Sequence, residues 1–288
     1  MTNGESDENV TTDPYAGRIT AAYLIVQASL FIGLFWKLAL ITPSGLVWQK
    51  GFFLLADELY HRTPLLDPFF PDWLRSAEVL RWAFLCTMAS LLIGIVGKFR
   101  LVRIAMAVVS LVGLSILCVH QGSYNDATFA TSWWVTLWVL WLTTRMGRGD
   151  SVAVLTHAAF LARLIGSMIL LGGAVGKWTP EYWSGEVFYD IYFRDRDHWL
   201  FNRLRESFEP ETLRTMAMWY SRKVVVVETI CGFGMWRLPP RWAAALGVTL
   251  FFSIAALSNF WLFSVLTCMV GMSSVGFLVP SQRLGETP

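Results

Sequence analysis

Residues 152–175, VAVLTHAAFLARLIGSMILLGGAV, decide the reading of this chain. One histidine and one arginine interrupt an otherwise uncharged run of the length that crosses a bilayer, about 20 residues at 1.5 Å rise each. Such a stretch cannot be a surface helix of a soluble fold, because no face of it is polar. Backbone groups surrounded by lipid must pair within their own segment, so the run is a helix and not an open strand.

Seven further apolar runs accompany it, at about 19–41, 79–96, 101–119, 127–142, 213–236, 242–257 and 260–279. The runs at 127–142 and 242–257 are short, and tilt or local thinning of the bilayer would accommodate them. The expected fold class is therefore all-α, a polytopic transmembrane helical bundle of about eight spans at 18–281. Composition agrees. Of the 288 residues 55% are hydrophobic and 15% charged, against about 25% charged in soluble domains, and mean hydropathy is +0.49. Disorder, collagen and most water-soluble enzymes are excluded. A net charge of +2 gives no support for a nucleic-acid partner. The partner that composition implies is the lipid bilayer.

Residues 1–17 are polar, acidic and turn-rich, without the basic start of a signal peptide, and read as a disordered tail. Residues 282–288 form a second short tail. Basic residues mark GKFR at 97–100, TRMGRGD at 144–150 and RLPPR at 237–241, whereas HQGSYND at 120–126 has no Lys or Arg. With eight spans the basic loops share one side with both termini, which predicts a multi-pass cell-membrane protein with cytoplasmic termini. Residues 43–77, broken by Pro64, Pro68 and Pro71, and residues 176–212 read as interfacial or re-entrant, the latter as a surface helix or a lid. Trp36, Trp48, Trp178, Trp183, Trp236 and Trp242 flank apolar runs, as interfacial anchors do.

Ionisable residues within spans mark functional sites by default. Lys37 is expected to snorkel to the outer interface, and His157 to be a neutral histidine bonded within the bundle. Arg163 and Glu228 are opposite in sign. Counted from the inner ends of their spans, they differ in depth by about 5 Å, which predicts a structural ion pair. On the outer side, His120, Asn125 and Asp126 lie between the third and fourth spans. Lys177 ends the fifth, and Asn259 turns the seventh into the eighth. Three turns thus deliver hydrogen-bonding groups to one level, predicting an outward-facing polar pocket. Gly172 and Gly176 have the small-residue spacing that allows close helix packing. Cys86, Cys118, Cys231 and Cys268 are too dispersed for a zinc ribbon or redox pair. Two carboxylate clusters, at 186–197 and 206–211, lack the spacing of a metal loop, and no metal is expected.

The stretch GGAVGKWTPEYWSGEVFYDIYF at 172–193 resembles the glycine–lysine–tryptophan–glycine signature of the horizontally transferred transmembrane (HTTM) domain. That superfamily includes the membrane domain of vitamin K-dependent γ-glutamyl carboxylase. Arg163, Glu228 and NFWLFSVLTCMVGM at 259–272 fit the same pattern, and the resemblance covers most of 18–280. It implies that Lys177 is a catalytic base toward a quinone-like molecule and that Asn125 belongs to the substrate region, with Trp178 and Trp183 beside the pocket. Two histidines of the carboxylase fall on Asp126 and near Ala256 here, and its long lumenal domain has no counterpart. The resemblance thus implies the scaffold, and a modification or processing of a peptide or quinone-like molecule, rather than carboxylation. A small secreted peptide or a redox partner protein is the partner it suggests. The residues alone leave a non-catalytic membrane scaffold or partner subunit open, and rank a transporter last because no repeat relates the two halves.

Overall fold

The computed structural model describes residues 13–41, 73, 77–120, 128–194, 196–257 and 262–280, all helix or short connection, with no strand among them. The long helices are α1 (Ala16–Ile41), α2 (Ala77–Val96), α3 (Arg100–His120), α4 (Thr128–Arg145) and α5 (Ser151–Gly176). After the short helices α6 (Pro180–Ser184) and α7 (Glu186–Phe188), a π-helical turn at Tyr189–Arg194 and α8 (Trp199–Ser207) come three more. These are α9 (Pro210–Arg237), α10 (Pro240–Leu257) and α11 (Phe263–Ser274), the last extended by a 3₁₀ turn at Val275–Leu278. The expected apolar runs coincide with α1–α5 and α9–α11. Five of these helices, at Ala16–Leu38, Glu78–Val96, Arg100–Val119, Ser151–Gly176 and Pro240–Leu257, are long and apolar enough to cross a membrane, and Phe263–Leu278 is a shorter apolar helix. The tails at 1–12 and 281–288, the segment 42–72, and the loop residues Asn125, Asp126, Ser258 and Asn259 lie outside the described residues, as does the side chain of His120.

α1 is the hub. Tyr23, Val26, Leu30 and Leu34 on it are fully buried. Its Tyr23 hydroxyl donates to the Gly94 carbonyl at 2.7 Å and its Gln27 amide to the Leu91 carbonyl at 3.2 Å, tying it to α2. Successive long helices run antiparallel. Glycines let them approach closely: Gly113 of α3 lies against Thr87 and Ala83 of α2, and Gly271 of α11 against Ser29 of α1. Buried hydroxyls are satisfied locally. Thr87, Thr136 and Thr143 bond back to carbonyls of their own helices, and Ser90 of α2 meets Ser110 of α3 at 2.6 Å. Ile32, Phe35, Leu92, Ile93, Val112 and Phe252 are exposed, the arrangement of a bundle whose outer solvent is lipid.

One end of the bundle is built from arginines. Each reaches the terminal carbonyls of a neighbouring helix or of the turn that follows it, groups that no intrahelical donor satisfies. Arg100 donates to Thr143 and Thr144 at the end of α4, at 3.0 and 2.5 Å. Arg103 donates to Gly97 after α2 at 2.8 Å, and Arg18 to Leu278 at 3.2 Å. Arg241 donates to Val279 at 3.3 Å. The loops that read as basic in the sequence therefore converge on this one end.

α9 is staggered against α5 and extends well beyond it at the opposite end. Its polar first half carries a separate cluster of Phe188, Phe193, Phe201, Leu213 and Ala217, with α6, α7, the π turn and α8 packed around it. Residues 177–194 and 196–208 therefore form a small cap over α9 rather than one surface helix.

Lys37 is buried, 7% exposed. The expectation for His157 does not hold. His157 is exposed and bonds the Ala153 carbonyl of its own helix at 2.8 Å.

Candidate functional site

The turn that ends α5 places Lys177. α5 stops at Gly176, and the Lys177 N–H closes the helix onto the Ala174 and Val175 carbonyls. Thr179 restarts the chain, its hydroxyl accepting from the Tyr182 N–H at 3.3 Å with Pro180 at the first helical position. α6 ends one turn later at Gly185, whose φ of +85° is a left-handed conformation open to glycine. An added Cβ there would strike the backbone of Ala217 and Met218, so the turn is pressed directly onto α9. Ser221 donates to the Tyr182 carbonyl at 2.5 Å and Arg222 to the Trp183 carbonyl at 3.1 Å, which locks α6 across α9.

Beneath this turn the Lys177 ammonium donates to both carboxylate oxygens of Glu228, at 2.5 and 2.6 Å. The Glu228 side chain is 10% exposed and that of Lys177 26%. Gly173 faces the pair: a Cβ at that position would lie 3.6 Å from Glu228 Oε2 and 3.8 Å from Lys177 Nζ, ordinary contact distances. The Tyr182 ring stands 6.0 Å from Nζ, and the rings of Trp178 and Trp183 meet at 5.0 Å. The phenol of Tyr182 is held well above its ordinary acidity range, first by burial and then by the negative charge that Tyr192, Glu228 and Tyr220 would place near it. It therefore stays a neutral hydroxyl beside the pair.

The predicted pairing of Arg163 with Glu228 is corrected here. Arg163 donates to the Leu238 carbonyl at 2.7 Å. That carbonyl ends α9, just before two prolines that offer no N–H of their own. Equal depth of Arg163 and Glu228 would require the inner ends of α5 and α9 to be level. They are not: Ser167 bonds Gly232 at 2.7 Å and Gly173 faces Glu228, so Arg163 meets the end of α9. Ten positions of α5, about 15 Å, separate Arg163 from the level of Glu228. Glycine spacing also differs from expectation. Gly172 and Gly176 face open space, and the close approach of α5 and α9 is at Gly232, where a Cβ would lie 2.8 Å from the Leu171 side chain.

Of the residues expected to gather around a pocket, the structure brings together Lys177, Trp178 and Trp183, and adds Glu228 to them. Asn125, Asp126 and Asn259 lie outside the described residues. Tyr182, Ser221 and Arg222 went unrecognised in the sequence, because a Tyr in an aromatic-rich loop and two polar residues on an amphipathic helix carry no spacing signal. An apolar cavity of about 600 Å³ lies elsewhere, between α1, α10, α11 and residues 197–199, and Lys177 is not among its lining residues. Among the described residues no group of three or more His, Cys, Asp or Glu side chains could hold a metal ion. Among known proteins, no family model, no curated protein and no solved structure matches this chain.

Proposed function

We propose that this chain is an eight-span integral protein of the cell membrane, of HTTM type, with both termini cytoplasmic. In this reading α4, α9 and α11 cross alongside the five longer apolar helices, and the arginine-capped end faces the cytoplasm. The outer end then carries a proton-transfer site at Lys177 and Glu228 that acts on a lipid-soluble, quinone-like molecule or a peptide. The observation that carries the proposal is the Lys177–Glu228 pair itself, two short hydrogen bonds in a largely buried setting under a neutral Tyr182. A proton passing from the ammonium to the carboxylate leaves a neutral amine, and such an amine accepts the proton of a substrate O–H. Glu228 keeps the first proton while Lys177 takes the second, so the site gains one proton and the substrate becomes an anion.

One observation favours a second reading, a non-catalytic scaffold or partner subunit. Glu228 already engages Lys177 through both oxygens and joins α5 to α9, which is what a structural clasp does. Lys177→Arg separates the two, since arginine preserves the ion pair but does not release a proton. In aerobic proteoliposomes supplied with a reduced naphthoquinone, deprotonation gives the hydroquinone anion that dissolved dioxygen oxidises, and this oxidation, followed by ultraviolet absorbance, is expected for the wild-type chain and lost in folded Lys177→Arg. Equal rates in the two proteins would leave the pair as a clasp, and no turnover by either would remove the quinone substrate.

A further inference from the structure

The cavity away from Lys177 has the form of a lipid site. Its wall is Phe252, Ala255 and Ala256 of α10 and Phe263, Leu266 and Val270 of α11, with Ser29 and Thr267 as isolated hydroxyls and Asp197, His198 and Trp199 across one end. Its volume, about 600 Å³, falls within the range of small-molecule sites, roughly 300–1,000 Å³. From Phe263 to Val270 it runs about 10 Å along α11. The capped end lies at the terminus of α10 and the start of α11, opposite the arginine end of the bundle.

Two features of that end define what fits. His198 is buried, and its Nδ1 accepts the Leu200 N–H at 3.3 Å, capping α8. A neutral imidazole that accepts at Nδ1 carries its proton on Nε2, so the ring offers one donor to a carbonyl. Asp197, bonded by the Asn202 amide at 2.9 Å, lines the same end. The group that matches the ring donor is a carbonyl. Trp199, 75% exposed beside the opening, is of the type that settles at the membrane interface, where lipid ester carbonyls lie. Phe252, 67% exposed on α10, places the wall against hydrocarbon, so a chain can enter sideways without leaving the bilayer.

We infer that this cavity binds one acyl chain of a membrane glycerolipid, the chain lying between α10 and α11 and its ester carbonyl accepting from His198 Nε2. The inference is independent of any proton chemistry at Lys177.

Photocrosslinking tests it. The whole chain is placed in phosphatidylcholine nanodiscs doped with a phosphatidylcholine carrying a diazirine in the carboxyl-proximal half of one acyl chain, and adducts are mapped by mass spectrometry. Adducts are expected on Leu266 and Val270. They should fall severalfold in Ala255→Trp, which fills the space, while adducts on the exposed Ile32 of α1 stay constant. His198→Ser retains a good helix cap but removes the ring donor. It should lower Leu266 and Val270 labelling about two- to tenfold, the worth of one hydrogen bond. Because His198→Ser leaves the bundle intact, it decides the matter if Ala255→Trp fails to fold. Labelling at Leu266 and Val270 that is unchanged by either variant overturns the site. Displacement of the label by an N-acyl peptide amide or a free fatty acid more readily than by unlabelled phosphatidylcholine overturns the assignment to a glycerolipid.

Discussion

Glu228, midway along α9, holds the ammonium of Lys177 at 2.5 and 2.6 Å, whereas Arg163, the other ionised group of α5, is engaged about 15 Å lower at the end of the same helix. The two cations of α5 therefore serve opposite ends of its contact with α9. One neutralises a carboxylate. The other bonds the carbonyl at the end of α9, which the prolines that follow leave without an N–H partner.

Removing one partner of the upper pair leaves a buried charge. In soluble proteins that costs about 3–5 kcal/mol, and less in membranes, where water defects and side-chain movement relieve it. Glu228→Gln and Lys177→Met should each lower stability toward denaturing detergent, and the double variant should recover part of the loss. The expected coupling is about 1–3 kcal/mol by double-mutant cycle. Strictly additive losses would show that the two side chains are energetically independent.

Arg163→Gln should also destabilise, by about 1.5–3 kcal/mol, the worth of a hydrogen bond from a charged donor. Combined with Glu228→Gln its effect should add to within about 0.5 kcal/mol, because the two sites share no partner. Equilibrium unfolding of the single and double variants measures this. A large coupling would mean that α5 and α9 are not staggered as described.

Gly185→Ala should loosen the cap over α9. A side chain at φ +85° costs about 1–2 kcal/mol, and the Cβ meets the Met218 backbone as well. Hydrogen exchange over residues 180–208 should accelerate while that of α1–α4 is unchanged. Gly172→Ala, which faces open space, is the matched control and should leave both regions alone.

Alkaline pH should destabilise the protein through Tyr182. Its folded-state acidity lies above the ordinary value of 10.0. Below that pH both states keep the proton, and the full stability is present. As pH rises past 10 the unfolded chain loses its proton first and stability declines. Thermal melts of Tyr182→Phe should show a shallower loss above pH 10 than the wild type. Identical slopes would exclude Tyr182 as the source.

Cysteine at Arg148, between α4 and α5, and cysteine at Glu181, in α6, lie in exposed segments at opposite ends of α5. In a background without the native cysteines, an impermeant thiol reagent should label the Glu181 site in intact cells and the Arg148 site only after lysis. The reverse pattern would invert the proposed orientation.

The sequence by itself determined the helical class, the position of the long helices and the clustering of basic loops at one end. Hydropathy and charge are local properties, and a helix in lipid must satisfy its own backbone. It also marked Lys177, Arg163 and Glu228 as polar groups in costly places. Which of them meet was decided by the tertiary structure, because the stagger of α9 on α5 depends on where the two helices can approach. Gly232 of α9 packs on Leu171 of α5 and Gly185 presses on Met218, and neither contact has a signature in residue spacing. For the same reason nothing in the sequence singled out His198. Its place at the mouth of a cavity exists only once α8, α10 and α11 are brought together.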